Sequence, residues 1–224
     1  MGGIETGTAR LALPLAGVDL AASLILPAAA RGLVLVADGE AADLRPGCGP
    51  LLARILHEAD LATLLVELST EGERGAPPVG TSETADIARL STRLIAAIDW
   101  LGQHRPIASL PLGLLGVRRG AAAVLQAAAE RPGAVLAVVS WNGRPDLAFD
   151  ALARIVSPTL LMVGGEDVDL LELNSWAAAR LQALHQMTVL SMDRPRPEGE
   201  EVQGQAAARQ ARDWFLQQLP RAAH

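Results

Sequence analysis

A short apolar run that must turn sharply constrains this chain more than any other stretch. Leu112-Gly113-Leu114-Leu115-Gly116-Val117 is apolar throughout, and from Gly120 to Glu130 the residues are mostly alanine, with high helix propensity. The chain must therefore leave a buried strand and enter a helix within Gly116-Val117-Arg118-Arg119-Gly120. Glycines two residues before and two after a central position allow that turn. The central residue is driven towards positive φ, and a side chain at either flanking position would strike the adjoining strand or helix. Arg118 is the central residue. The pattern predicts a strand over Leu112 to Val117, a helix from about Arg119, and an arginine held between them in an uncommon conformation.

The remaining sequence supplies elements of the same kind. Ala9 to Leu13 and Val18 to Leu26, separated by Pro14 and Gly17, predict an N-terminal antiparallel hairpin at one edge of a sheet. Leu33 to Ala37 is a five-residue run rich in β-branched residues, as expected of a strand buried on both faces, and it leads into Asp38-Gly39-Glu40. A helix over about Pro50 to Ala59 and a strand over Ala62 to Leu68 follow. Ser69 to Ser82, with Gly72, Gly75, Pro77, Pro78 and Gly80, is the expected mobile surface loop. Ile87, Leu90, Leu94, Ile98 and Leu101 recur at intervals of three and four, which predicts a helix over Thr84 to His104 with one face on the sheet. Beyond the central turn, strands are expected at Ala134 to Val139, Thr159 to Val163 and Met187 to Leu190. Helices are expected near Asp146 to Arg154, over about Leu170 to Leu184, and in a last segment ending before Pro220.

Strands and helices that alternate at βαβ spacing give a mostly parallel sheet with helices on both faces. The expected fold class is thus α/β, as one domain spanning residues 1–224, with no internal repeat. Trp141 to Asp146 is too short for a helical lid, so a site should lie open at the C-terminal ends of the strands.

Composition removes several functions. The formal charge of −6 has the wrong sign for a phosphate backbone, and two Phe with no Tyr offer little stacking surface, so no nucleic-acid partner is expected. The chain has no lysine, which excludes Schiff-base chemistry and a P-loop lysine. One cysteine, Cys48, excludes an internal disulfide framework and a CxxC metal site; neither metal nor cofactor is expected. No span approaches the roughly 20 apolar residues of a membrane helix, and the N-terminus lacks a basic segment followed by an apolar one. No membrane partner is expected, and the expected location is cytoplasmic. Oligomeric state is not legible.

Five sequence features together resemble the dienelactone-hydrolase-like group of α/β hydrolases, across Arg31 to Leu219. They are the strand ending in Ala37-Asp38-Gly39, the Gly-x-x-x-Gly turn followed by Ala121 to Ala123, Gly143-Arg144-Pro145-Asp146-Leu147, Ser157-Pro158-Thr159-Leu160-Leu161, and Gly164-Gly165-Glu166-Asp167. The resemblance implies a lidless hydrolase fold in which the turn is the nucleophile elbow and Asp167 matches the triad acid. It also marks departures. Arg118 stands where the family has Ser, Cys or Asp, Arg194 in Ser191-Met192-Asp193-Arg194-Pro195 falls nearest the histidine, and Asp38-Gly39 replaces His-Gly. A guanidinium is always protonated and can be neither nucleophile nor base, so ordinary triad catalysis by Arg118, Arg194 and Asp167 is not expected.

Candidates elsewhere are weaker. Cys48, near the mouth, reads as a small buried hydrophobe; His57, His104 and His185 read as helix or surface residues; Ser69 and Ser140 end strands without an elbow. Three readings of the site itself stay open. In one, Arg118, Arg119 and Arg194 pair with Asp38, Glu40, Glu166 and Asp167 as a salt-bridged plug. In another, an unpaired arginine and the elbow helix's N-terminus hold a small anionic ligand, with Asp38, Gly39, Glu40, Arg119 and Trp141 lining its site. The third is an enzyme in which Asp38 or Glu40 activates water and Arg118 with Arg119 stabilises an oxyanion. A triad replaced by engineering or evolution is compatible with each.

Overall fold

The structure is a computed structural model that describes residues 7–15, 17–38, 48–70, 72–73, 83–191 and 198–220. Gly39, Glu40, Arg194 and most of the 69–82 loop lie outside the described residues, as do the side chains of Asp38 and Cys48.

Eight strands form one sheet in the order β1-β2-β4-β3-β5-β6-β7-β8. They are β1 (Gly7–Leu15), β2 (Val18–Leu26), β3 (Gly32–Asp38), β4 (Leu61–Glu67), β5 (Leu112–Val117), β6 (Val135–Trp141), β7 (Thr159–Gly164) and β8 (His185–Leu190). The hairpin β1–β2 sits at one edge and joins β4 antiparallel; all other pairings are parallel. Among the described residues six α-helices accompany them: α1 (Cys48–His57), α2 (Glu83–Leu101), α3 (Arg119–Glu130), α4 (Phe149–Leu152), α5 (Val168–Ala178) and, after the last strand, α6 (Glu198–Gln218).

The period of two along each strand assigns the two faces. Leu33, Leu35 and Ala37 point into a core with α2 and α3, where Ile87, Leu90 and Leu94 of the predicted stripe are fully buried. Val34 and Val36 point the other way, into a core built with α1 and α6 around Leu52, Trp214 and Phe215. Burial on both faces is why these strands read as continuous apolar runs rather than alternating ones.

Several boundaries differ from expectation. The helix expected to reach Leu184 stops at Ala178, where the N–H groups of Arg180 and Leu181 both turn back to the Ala177 carbonyl and close the last turn. No glycine or proline marks that stop, and Leu184, 64% exposed, gives the helix no apolar face to continue. Strand β8 consequently begins at His185 rather than Met187, and α2 ends at Leu101 rather than His104. The segment expected as a helix from Asp146 is a 3-10 turn, Pro145–Ala148, that runs into the four-residue α4.

A buried arginine fixes the start of the loop after β4. Arg93, 6% exposed on α2, donates to both carboxylate oxygens of Glu73 at 2.7 and 2.9 Å and to the Leu68 carbonyl at 2.8 Å. The guanidinium holds the Glu73 carboxyl down from 4.5 to about 2. A depressed carboxylate pKa adds stability that is complete above about pH 4.5 and is lost as pH falls towards 2. Glu73 is a third exposed, so solvent screens the pair, and Glu73→Gln should cost about 1–2 kcal/mol at pH 7. Urea midpoints at pH 7, 4.5 and 3 should show that difference narrowing on acidification; a constant difference would show that the charge is not what stabilises.

Candidate functional site

The site is built from strand ends. Asp38 of β3 is in register with Val117 of β5, which is in register with Trp141 of β6, so three parallel strands finish in one row. Arg118 is the next residue. It has φ 50° and ψ −111°, caps α3, and donates its N–H to the Trp141 carbonyl at 3.0 Å. The left-handed conformation expected from the two glycines is therefore present. Its steric reason is visible at Gly116, where a Cβ would lie 2.3 Å from the Gly120 carbonyl oxygen and 2.6 Å from the Ala121 Cα. Strand and helix cross so closely there that no side chain fits.

Among the described residues, the arginines near the elbow differ in their partners. Arg119 pairs with Asp86 in the first turn of α2, at 3.2 Å. Asp86 also pairs with Arg89, which bridges to Glu73 at 2.9 Å, so Arg119 joins a chain of charges running along α2. Arg144, just past β6, grips Asp146 through two hydrogen bonds of 2.8 and 2.6 Å and approaches Glu83 at 3.7 Å. Arg144 in turn holds the Asp146 carboxyl below its usual range. Arg118 stands apart. Its side chain is exposed, and it has no ion-pair partner among the described residues.

The loop carrying Asp167 is tied down by hydrogen bonds, not all of which the sequence signals. Asp167 caps α5, its Oδ1 accepting from the Leu170 N–H at 3.0 Å, and its side chain is exposed. Upstream, Asn142 (φ 48°) accepts the Gly164 N–H at 2.8 Å, while fully buried Asn174 of α5 donates to the Gly143 carbonyl at 3.1 Å. The two asparagines thus tie the β6 turn to the end of β7 and to α5. The Asn142-Gly143 turn dipeptide was a readable signal for the first; nothing in the sequence singled out Asn174.

The weaker candidates are also placed. Trp141 is the last residue of β6 and only 8% exposed, packed in the α1/α6 core; what it presents to the elbow is its carbonyl. Ser140 is fully buried beneath Gly143 and Ala121, where a Gly143 Cβ would meet its Oγ at 2.6 Å, so no substrate can reach it. Among the described residues no group of three or more His, Cys, Asp or Glu could hold a metal, and no helix is long and apolar enough to cross a membrane.

Comparison with known proteins places this geometry. A dienelactone hydrolase from Anabaena variabilis is 34% identical, with a TM-score of 0.83 over 95% of this chain and 99% of that one. Est1E from Butyrivibrio proteoclasticus (14% identical, TM-score 0.72, covering 95% and 99%) shares the fold. A dienelactone-hydrolase-like promiscuous phosphotriesterase from metagenomic libraries does so too (19%, TM-score 0.71, covering 95% and 98%). Among curated proteins, two Mycobacterium tuberculosis sequences named "Putative phosphoribosyl transferase" are 40% identical over 203 residues, which is 90% of this chain but 44% of theirs. The chain spans less than half the length of those relatives. No family model matches it.

Proposed function

The chain belongs to the dienelactone hydrolase family of α/β-hydrolase-fold proteins, and from that premise we propose that it is a member whose triad has been replaced and which binds a small anion without hydrolysing it. One observation carries this reading: Arg118 is exposed on the elbow with no ion-pair partner among the described residues, while Arg119, Arg144, Arg89 and Arg93 each have one. A guanidinium can neither attack an acyl carbon nor accept a proton, but it presents a fork of donors suited to carboxylate or phosphate. It stands on the N-terminal end of α3, where the first N–H groups lack intrahelical acceptors and the helix dipole favours negative charge. In this proposal Arg194 contributes a second cation, and Asp38, Gly39, Glu40 and Arg119 bound the site, with the Trp141 side chain packed in the core rather than against the ligand. Asp167 keeps its role as the α5 cap.

A second reading has one observation in its favour. Asp38 is in register with the residue before Arg118, close to where a carboxylate would activate water against an arginine-stabilised oxyanion. Hydrolysis by that route leaves no covalent intermediate.

Thermal unfolding with graded phosphate, sulfate, ribose 5-phosphate and a dicarboxylate tests the proposal; the name of the mycobacterial relatives makes phosphate-bearing ligands the first to try. At about a hundred times Kd, a bound anion should raise Tm by roughly 5–10 °C in a saturable way. Arg118→Gln should abolish the rise. A midpoint insensitive to every anion beyond ionic strength, or an unchanged rise in Arg118→Gln, would overturn the reading. Ester turnover without covalent labelling, lost in Asp38→Asn, would install the second one.

A further inference from the structure

A groove of about 740 Å³ lies between the Pro145–Ala148 turn and α5, sharing no lining residue with the elbow. Its volume is that of a small-molecule site. Asp169, Glu172, Leu173 and Trp176 of α5 follow one another at intervals of three, one and three, so they fall along one helical face, with Val168 and Leu171 beside them and Asp146 on the other wall. The floor is apolar and open to water: Val168 is 63% exposed, and nearby Phe149 is 54% exposed. Large apolar side chains left on the surface in one place mark a surface that binds something.

Charge decides what. Asp146 is neutralised by Arg144, whereas Asp169 and Glu172 are exposed and have no ion-pair partner among the described residues. The groove therefore presents two carboxylates without an ion-pair partner over an apolar floor, against one guanidinium at Trp176, a balance that favours cations over anions. Its aromatic wall is held in place. Phe149 stacks on Trp176 with ring centres 5.5 Å apart, and the Arg180 guanidinium lies 3.7 Å from the Trp176 ring centre, tied to the Trp176 carbonyl at 3.1 Å. A rigid wall costs little ordering entropy when a ligand arrives.

We infer that this groove is a binding site for a small organic cation, an ammonium or guanidinium group carried on an apolar body. The charge sits between Asp169 and Glu172, and the body lies on Val168, Leu171 and the edge of Trp176.

Benzyltrimethylammonium and its uncharged isostere neopentylbenzene separate the charge from the apolar surface. Calorimetric titration of the intact protein should show one saturable site for the cation and affinity at least about ten-fold weaker for the isostere. Asp169→Asn combined with Glu172→Gln should weaken the cation by about ten-fold or more while lowering Tm by no more than about 4 °C, the share of Asp169 in the first turn of α5. Trp176→Leu should weaken both probes. Arg118→Gln should leave the titration as it is, which keeps this site independent of the elbow. Equal binding of the two probes, undiminished binding in the double amide variant, or no saturable binding of the cation would each overturn the inference.

Discussion

Arg118→Ser combined with Arg194→His is expected to turn this protein into an esterase, with turnover of an activated ester at least about a hundred-fold above that of the unmodified chain. The elbow backbone that this chemistry needs is in place. Residue 118 holds φ 50° on the strand-to-helix turn, the strained position a nucleophile needs, and α3 begins directly behind it. Asp167 stands at the start of α5 with one oxygen fixed by the Leu170 N–H, which leaves its second oxygen to orient an imidazole. Each single replacement should remain within a few-fold of background. Arg118→Ser alone supplies a hydroxyl with no group to take its proton, and Arg194→His alone supplies an imidazole with no nucleophile to activate. The unmodified protein should show no fluorophosphonate labelling and no burst. Stoichiometric labelling that survives Cys48→Ala would sink the assignment of the elbow. Labelling lost with Cys48→Ala would make that thiol the nucleophile.

The parts of the structure that could be read from the sequence are those set by local rules. The two glycines around Arg118 dictated its backbone, because the clash at Gly116 involves atoms only four and five residues away. The stripe from Ile87 to Leu101 dictated a buried helix face because every member lies on one helical period, and all five are at most 3% exposed. The charges were a different matter. Arg119 finds Asp86, 33 residues earlier, because α2 packs against α3 and brings its acidic first turn over the elbow. That partnership depends on helix packing, which no sequence window contains. It also divides the two adjacent arginines: one is drawn into the α2 charge chain, and the other is left facing solvent at the site. Asn174 escaped for the same reason, since its acceptor at Gly143 is 31 residues away and becomes visible only when α5 is docked.

Gly116→Ala is expected to be the most damaging single substitution away from the charged residues, costing on the order of 3–5 kcal/mol. The new Cβ would lie 2.3 Å from the Gly120 carbonyl oxygen and 2.4 Å from the Gly120 carbonyl carbon. Both are backbone atoms of the first turn of α3, so no rotamer change relieves the contact. The helix must move off the sheet, and its residues Ala122 to Leu125 are fully buried in the same core as α2. Displacing α3 would also break the Arg118 N–H bond to Trp141 and the Arg119 bond to Asp86, so the elbow and its charge pairing would be lost with the packing. Gly133→Ala provides the control. A Cβ there meets nothing within 4 Å and φ is not in the left-handed region, so the loss of unfolded-state entropy should leave stability unchanged or raise it by about 0.4–1 kcal/mol. Urea unfolding of the two variants should therefore move in opposite directions or differ by several kcal/mol. Equal midpoints would mean that strand and helix can separate at the elbow without cost, and that Gly116 does not determine the geometry of Arg118.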